Sequence, residues 1–375
     1  MDDRDQALVD FAADWQQQLP QRSAEIEEAR RLPADISAAF AAGGIYHALV
    51  PAEYGGLEAH PATAVEVIRR MAEGDGSVGW NVMIGMTTGL LAASLPEAFA
   101  RQIYGEAPGV MTVGVTAPLG KADKVEGGHL VSGRWPFGSG SENAQWICGG
   151  CHLFEQGEQV KDKSGAAVNH LMLFERDQVT IEDTWHVSGL SGTGSHHFHV
   201  EGAFVPEGRS VVLGRRALVK RPLYQFPMLG LLALGVSSVS LGIGRKAVRT
   251  FMELAGAKTP TGASRSLAAR PQVQSDLAQS LADLESAETY MADKIHAAFE
   301  VAQQGERLSL AVKAGLRLAA INATHRAVAA VDRLYRAGGG SSIYRDNDLQ
   351  RCFRDIHVTT QHIMVGMPVY EVIGR

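Results

Sequence analysis

Apolar residues in the first part of the chain recur at intervals of three and four positions, the spacing of an amphipathic helix. This pattern predicts helices over 5–18, 22–42, 60–73 and 77–95. The last of these stretches carries almost no charge, so we expect that helix to be deeply buried.

The sequence pattern changes near Pro108, where short runs rich in β-forming residues, separated by glycine, replace the helical spacing. The runs predicted to be strands are 110–115, 129–135, 146–154, 170–175 and 197–204. We expect an antiparallel β domain of about a hundred residues, folded as a small barrel or sandwich.

Helical spacing returns after Pro222 and continues almost to the end of the chain. Apolar residues repeat over 277–299 and over 316–334, and a last helix is predicted over 349–362. Long helices with apolar stripes form bundles. The predicted fold class is therefore α+β and mostly helical, with an N-terminal helical domain at 1–108, a central antiparallel β domain at 109–215 and a C-terminal four-helix bundle at 216–375.

Composition places the chain among globular proteins, since 45% of its 375 residues are hydrophobic and 20% are charged. The net charge of -6 favours neither nucleic acid nor an anionic membrane as a partner. Three cysteines are too few for a disulfide framework, and the acidic start lacks the features of a secretion signal. We therefore expect a cytoplasmic protein.

Two uncharged stretches, 76–96 and 222–244, are long enough to cross a bilayer. Both are interrupted by polar residues, glycine or proline, and neither has aromatic belts or a flanking excess of basic residues. The pattern favours helices buried at the centre of a large helical protein.

Three short motifs resemble metal, redox or nucleotide sites but lack the residues that would complete them. They are the pair Cys148 and Cys151, the run Gly242–Ala247, and the cluster His186, His196, His197 and His199. The cysteines lie in a predicted strand, the glycine run has no preceding strand or following acid, and the histidines have no acidic or cysteine partner. We interpret all three as structural.

Two glycine-rich turns carry a more informative combination of residues. Each joins an aromatic side chain to glycines and hydroxyls, at 135–141 and at 185–195. Such turns let backbone and hydroxyl groups approach a flat ligand beside an aromatic wall. His357 and His362 are five positions apart on the last predicted helix, so at most one of them is expected to face a given site.

These motifs, together with the order of helices, strands and bundle, resemble the acyl-CoA dehydrogenase fold. Within it they resemble the two-component, group D flavin-dependent monooxygenases. The matching segments are Trp135–Gly140, Thr184–Ser195, Ala337–Tyr344 and the last predicted helix, which closes with Gln361 and His362. The resemblance extends from about Leu32 to Val365.

The resemblance implies an oxygenase component that uses reduced FAD or FMN and O2, through a C4a-hydroperoxyflavin, on a small aromatic or indole-like substrate. It gives catalytic roles to His362, which would help to form and hold the hydroperoxide, and to Ser139, near flavin N5. The flavin-binding residues that it implies are Phe137, Ser139, Gly140, Thr116, Trp185, Thr193, Ser195, Arg265, Gly339, Gly340 and Ser341. Of these, Arg265 and the glycine loop would reach the flavin of a neighbouring subunit in a homotetramer. The substrate pocket would contain Trp80, Met83, Thr87, Tyr224 and His362.

Two positions separate this chemistry from acyl-CoA dehydrogenation. The family's proton-abstracting carboxylates would fall at Ile363 and near Leu232, and neither side chain can accept a proton. Many relatives also carry a histidine where this chain has Thr87 and Thr88, which disfavours phenol hydroxylation and favours a substrate that is already nucleophilic.

Three functions follow in order of preference. The first is the monooxygenase, which requires a separate NAD(P)H:flavin reductase because no nicotinamide-binding fold is visible. The second is an oxidase or dehydrogenase of the same fold, acting on an acyl thioester or on a nitro or amine substrate. The third is a non-catalytic scaffold, against which Ser139 and His362 argue.

Overall fold

Helices make up the chain as far as the first strand. They are α1 (Asp3–Gln18), α2 (Ser23–Ala29), α3 (Ala34–Ala42), α4 (Pro61–Gly74), α5 (Gly76–Thr88) and α6 (Glu97–Ala100). The computed structural model describes residues 2–106, 109–212 and 214–375.

The prediction of a single helix over 22–42 is wrong, because the helix is interrupted between α2 and α3. Arg30 takes a left-handed conformation at the end of α2, and Pro33, which lacks a backbone N–H, precedes α3. The helix predicted over 77–95 is also shorter than expected, since α5 ends at Thr88 and a 3-10 turn continues to Ser94.

Helix α5 is buried on nearly every side, as its lack of charge predicts. Its first turn is capped by Asp75, whose carboxylate accepts hydrogen bonds from the backbone N–H groups of Ser77 (3.0 Å) and Val78 (3.2 Å).

A sheet of eight strands follows these helices in the described part of the chain. Its strands are β1 (Thr112–Val125), β2 (Gly128–Gly138), β3 (Trp146–Glu155), β4 (Glu158–Gln159), β5 (Asn169–Glu175), β6 (Thr180–Glu182), β7 (His196–Pro206) and β8 (Ser210–Val212). Their order among the described residues is β6-β7-β2-β1-β3-β5-β8, and β4 pairs with β3.

The sheet is mixed, which corrects the expectation of an antiparallel domain. A tight hairpin places β2 on one side of β1, and the loop at 139–145 then carries the chain to the other side of β1. Strand β3 therefore runs parallel to β1, whereas the other neighbouring strands are antiparallel. The pairing depends on where a loop crosses, which strand periodicity does not reveal.

The C-terminal part is a helical bundle. Its helices are α7 (Pro222–Gln225), α8 (Met228–Ala257), α9 (Pro271–Gln303), α10 (Leu310–Gly338), α11 (Asp348–Thr359) and α12 (Pro368–Gly374). Helix α8 packs against α4 and α5 on one side and against α10 and α11 on the other. It is long and apolar enough to cross a membrane, and 78% of its most apolar window is buried inside the protein.

The order of helices, sheet and bundle is confirmed. The exact domain limits stay a prediction, and the first of them, at residue 108, lies outside the described residues. The helix predicted over 349–362 is α11, which ends earlier, at Thr359, so His362 lies in the turn that follows it; α12 was not predicted.

Candidate functional site

A cavity of about 430 Å³ lies where α5, the sheet, α8 and the end of α11 meet. Helix α5 contributes Trp80, Ile84 and Thr87, and α8 contributes Met228 and Leu232. The wall is mostly apolar, with a few convergent hydroxyl groups, which is the usual character of a small-molecule site.

Two irregularities in the sheet shape one wall of the cavity. The pairing of β1 with β3 shifts register around Thr116 and Ala117, and the pairing of β2 with β7 shifts around Pro136 and Phe137. All four residues line the cavity. Bulges of this kind redirect side chains and are common beside active sites.

Phe137 has a strained backbone and an exposed ring. Its φ of 64° lies in the left-handed region, and its side chain is 65% exposed at the cavity. The ring stands edge-on to Trp185, with the centroids 6.3 Å apart. Such strain costs about 1–3 kcal/mol and tends to be kept at functional sites.

The turn at 185–195 forms the adjoining wall. Leu190 is also left-handed (φ 52°), and its carbonyl accepts a hydrogen bond from the Trp185 indole N–H at 3.2 Å. The carbonyl of Thr193 accepts the backbone N–H of Gly140 at 2.9 Å. The two glycine-rich turns recognised in the sequence are therefore joined to each other.

A chain of hydrogen bonds connects four side chains and one carbonyl in this wall. The Trp80 indole donates to Ser139 Oγ (3.0 Å), which lies 2.6 Å from Ser195 Oγ. Ser195 Oγ lies 2.7 Å from Thr193 Oγ1, which donates to the Leu190 carbonyl at 2.8 Å.

The direction of this chain is fixed at both ends. An indole N–H can only donate and a carbonyl can only accept, and each hydroxyl has one proton. The proton of Thr193 is used on Leu190, so Ser195 must donate to Thr193 and Ser139 must donate to Ser195. Ser139 Oγ therefore offers a ligand only a lone pair, and the ligand atom that meets it must be a donor.

His362 also lines the cavity, in the turn after α11. Its ring meets Trp80 edge-on at 5.5 Å, and its Nδ1 accepts the backbone N–H of Met364 at 3.2 Å. Burial, assisted by the charge of Arg317, lowers the pKa of His362 to about 4. The ring is therefore neutral near pH 7, and because Nδ1 is an acceptor, Nε2 carries the proton and can donate it in a hydrogen bond.

The described residues that line the cavity include no aspartate or glutamate. Leu232 and Ile363, where dehydrogenases of the resembled fold would carry a base, both lie in the wall. The hydroxyls of Thr87 and Thr88 donate to the helix carbonyls of Met83 (2.7 Å) and Ile84 (2.8 Å), so neither is available as a base.

The structure brings most of the predicted site residues together. Those lining the cavity are Trp80, Thr87, Thr116, Phe137, Ser139, Trp185, Thr193, Ser195 and His362. Gly140 lies directly behind this wall, with a φ of 73° that favours glycine.

Two predicted pocket residues lie elsewhere, which corrects that assignment. Met83 is fully buried and packs against Gly235, so it belongs to the core. The hydroxyl of Tyr224 bonds to the Leu49 carbonyl and to Glu58, outside the cavity wall. Burial and the Glu58 charge raise the pKa of Tyr224.

Four predicted flavin-binding residues lie on the surface, away from the cavity: Arg265, Gly339, Gly340 and Ser341. Their predicted role concerns the flavin of a neighbouring subunit, and it stays a prediction.

Sequence reasoning missed several wall residues, chiefly Leu91, Cys148, Leu171 and Gln361. Cys148 is a buried free thiol whose pKa burial raises to about 12, so it is inert at neutral pH. The alternation of β3 shows that Cys148 and Cys151 face opposite ways, but it does not show which of them faces a cavity.

The other short motifs have structural roles. Gly242 allows α8 to lie against the Arg69 carbonyl, where a Cβ would come within 2.3 Å. His196 and His199 bond to protein groups, at the Thr184 backbone N–H and at Glu182.

The wall residues are suited to a reduced flavin ring. Phe137 and Trp185 offer aromatic surfaces, and Ser139 offers an acceptor for a ring N–H. The remaining wall is largely apolar, the character that a site protecting its reaction from water needs.

Comparison with known proteins agrees with this geometry. The family models named acyl-CoA dehydrogenase, N-terminal domain, and acyl-CoA dehydrogenase, C-terminal domain, match residues 2–99 and 234–367. The chain is 34% identical to the indole-3-acetate monooxygenase of Pseudomonas putida over 355 residues, covering 94% of this chain and 89% of that protein.

Two further relatives have related names. The flavin-dependent monooxygenase oxygenase subunit HsaA of Mycobacterium tuberculosis is 27% identical, covering 92% of this chain and 88% of that protein. The structure of XiaF from Streptomyces sp., in complex with FADH2 and glycerol, is 27% identical with a TM-score of 0.91, covering 99% of this chain and 94% of that one.

Proposed function

The chain belongs to the acyl-CoA dehydrogenase family, among its flavin-dependent monooxygenase oxygenase components, and from this premise we propose how it works and on what. It uses reduced flavin and O2 to oxygenate a small aromatic or heteroaromatic compound. The observation that carries this proposal is the fixed direction of the hydrogen-bond chain, which makes Ser139 an acceptor in a cavity whose described wall holds no carboxylate base.

The bound flavin supplies electrons and activates O2, so that one oxygen atom can be transferred to the substrate. Phe137 and Trp185 would hold the flavin ring against their aromatic surfaces. Ser139 would accept a ring N–H, which reduced flavin has at N5 and oxidised flavin lacks. His362 would offer its Nε2–H as a hydrogen-bond donor to a polar atom of the bound flavin or substrate, and the apolar wall would limit the access of water.

The dehydrogenase alternative is less well supported. Removal of a substrate α-proton needs a base, and the positions that would carry it are Leu232 and Ile363. His362 is neutral, but its Nδ1 is already occupied by the Met364 N–H.

For the substrate we propose an electron-rich ring of about the size of indole. The Pseudomonas putida relative is named for indole-3-acetate, a compound of this class. Much of the cavity wall is aliphatic, with side chains from α5, the sheet and α8, among them Ile84, Leu171 and Leu232. Because Thr87 and Thr88 cannot deprotonate a phenol, a ring that is already nucleophilic fits best.

The partners follow from the same proposal. A separate NAD(P)H:flavin reductase delivers reduced FAD or reduced FMN, as the name oxygenase subunit implies for the relative HsaA. We propose a homotetramer in which Arg265 and Gly339–Ser341 reach a neighbouring flavin. The three cysteines are free thiols, which supports a cytoplasmic location.

Rapid mixing tests the proposal. The protein is loaded anaerobically with reduced FAD or FMN and mixed with O2-saturated buffer, with free reduced flavin as the control. We expect a transient absorbance band distinct from oxidised flavin, and, with indole under ¹⁸O2, a product that carries one labelled oxygen. Immediate appearance of oxidised flavin that stays bound, with no labelled product from indole or indole-3-acetate, would favour an oxidase instead.

A further inference from the structure

Helix α11 makes direct contacts with the turn at 185–195, which contains the Leu190 carbonyl at the end of the hydrogen-bond chain. The Leu190 backbone N–H donates to Asp355 Oδ1 at 2.6 Å, and the Arg354 guanidinium donates to the Ser188 carbonyl at 2.5 Å. Between these contacts Gly189 lies against the helix backbone, where a Cβ would come within 2.4 Å of the Arg354 carbonyl. The turn and the helix therefore fit together without space for a side chain.

Asp355 is an unusual residue to find at such a contact. It is only 6% exposed, and a second buried carboxylate, Asp75, is close enough to raise its pKa, which burial and Asp75 together bring to about 7. The charge of Arg354 acts in the opposite direction, and Glu27 adds a further negative charge. Burying an acid in such surroundings is costly, so the contact it makes deserves a functional explanation.

The contact acts on the cavity through the conformation of Leu190. Leu190 is left-handed, a conformation that a leucine seldom adopts without support. In that conformation its carbonyl receives the Thr193 hydroxyl and the Trp185 indole. If the turn relaxed, Thr193 would lose its acceptor, and the direction of the hydroxyl chain to Ser139 would no longer be fixed.

We propose that Asp355 is a positioning residue which, by holding the Leu190 N–H, keeps the hydroxyl chain directed so that Ser139 accepts from the flavin and the site prefers the reduced state. The proposal rests on the proposed flavin function. Asp355 does not itself line the cavity, and its effect is transmitted through Leu190, Thr193 and Ser195.

Four variants separate this role from general stability. Asp355→Ala removes the acceptor, whereas Asp355→Asn keeps an oxygen of the same shape. Asp348→Asn is the matched control, since Asp348 lies on the same helix but pairs with Arg351 and Lys246. Gly189→Ala pushes the turn off the helix without altering Asp355, and it replaces Asp355→Ala if that variant does not fold.

The first readout is amide hydrogen exchange of the flavin-free protein. We expect exchange in the segment 186–195 to rise about tenfold in Asp355→Ala and Gly189→Ala, and to stay near wild type in Asp355→Asn and Asp348→Asn. The second is the ratio of dissociation constants for oxidised and reduced FMN, measured anaerobically. In Asp355→Ala and Gly189→Ala the ratio of the oxidised to the reduced dissociation constant should fall about tenfold, which corresponds to roughly one hydrogen bond.

Unchanged amide exchange at 186–195 in Asp355→Ala, or in Gly189→Ala if Asp355→Ala does not fold, would overturn the inference. So would faster exchange without a change in the FMN ratio, because the turn would then have no influence on the flavin. If the wild-type protein binds neither redox state of FMN or FAD, the proposed function itself fails, and that result is visible before any variant is compared.

Discussion

At the scale of single residues, two side chains of the cavity have their hydrogen-bonding direction set by neighbours. Ser139 donates its proton to Ser195 and so offers a ligand only an acceptor, while the Met364 N–H occupies His362 Nδ1 and leaves Nε2 as a donor. The acceptor and the donor line the same apolar cavity. The motifs predicted both residues from the sequence, but the motif at 185–195 does not show that the Leu190 carbonyl ends the hydrogen-bond chain from Ser139.

His362→Ala should lower the share of O2 that ends in the product and raise the share released as H2O2 several-fold, because the Nε2–H donor is lost. His357→Ala is the matched control, since His357 lies on α11 and pairs with Asp332 instead. Since the pKa of His362 is held near 4, coupling in the wild type should show no step attributable to it between about pH 6 and 8. H2O2 release and product formation are measured together, and full coupling in His362→Ala would remove this residue from the mechanism.

Thr193→Val should weaken the preference for reduced flavin by about tenfold, because Ser195 then loses the acceptor for its proton and Ser139 is no longer forced to donate to Ser195. Valine keeps the shape of threonine and removes only the hydroxyl. Trp80→Phe serves as the control, since it removes a donor to Ser139 but leaves the Leu190 carbonyl, which directs the chain, in place. Anaerobic titration with oxidised and reduced FMN measures the preference; equal preference in Thr193→Val and wild type would refute the fixed direction of the chain.

At the scale of elements, α11 supports the cavity twice, through Asp355 in its middle and through His362 just beyond its end. Periodicity predicted this helix but placed its end too late. The hydroxyls of Thr359 and Thr360 bond to the carbonyls of Ile356 and His357, which competes with a further helical turn. Local pattern also predicted most of the strands, whereas the parallel pairing of β1 with β3 depends on a distant crossing that no local pattern contains.

Asp355→Asn should change how stability depends on pH. Asp355 has its pKa raised from 3.8 to about 7 in the folded protein, so between those values the unfolded chain loses its proton first and the wild type becomes less stable as pH rises. Asparagine does not titrate, so the variant should gain stability relative to wild type up to about pH 7 and then level off. At about 1.4 kcal/mol per pKa unit the gain is a few kcal/mol at most.

Urea unfolding of both proteins across this range checks the difference. Histidines with lowered pKa, such as His170 and His362, act in the opposite direction in both proteins and cancel in the comparison. A difference in unfolding free energy that stays constant from about pH 4 to pH 8 would contradict the assignment.

At the scale of the whole molecule, the cavity is assembled from segments far apart in the chain. A second feature, on the surface, is the glycine loop at 338–341 with the exposed apolar residues that follow it. Helix α5 is buried all round, so its periodicity could not tell that Trp80 and Thr87 line the cavity while Met83 enters the core. On the surface, the Lys258 ammonium donates to the Gly338 carbonyl at 2.8 Å, which joins the loop carrying Arg265 to the glycine loop. Ile343 and Tyr344 are each 65% exposed beside that loop.

Ile343→Asp should dissociate the proposed tetramer and, as a consequence, weaken flavin binding. A carboxylate at an apolar contact would have to be buried without a partner, which is strongly unfavourable. Once the subunits separate, Arg265 and Gly339–Gly340 no longer reach the neighbouring flavin, so affinity should fall although the variant's own cavity is intact. Leu130→Asp is the matched control, because Leu130 is an exposed apolar residue on β2, outside the bundle.

Analytical ultracentrifugation and FMN titration on the same samples test both halves of this prediction. Smaller particles with weaker binding in Ile343→Asp alone would show that the cavity is completed by a second copy of the chain. Dissociation without loss of affinity would mean that each chain holds its flavin unaided, and the assignment of Arg265 and the glycine loop would then be wrong. A wild type that sediments as a single chain would refute the tetramer directly, since the exposed Ile343 and Tyr344 would then have no partner subunit to cover them.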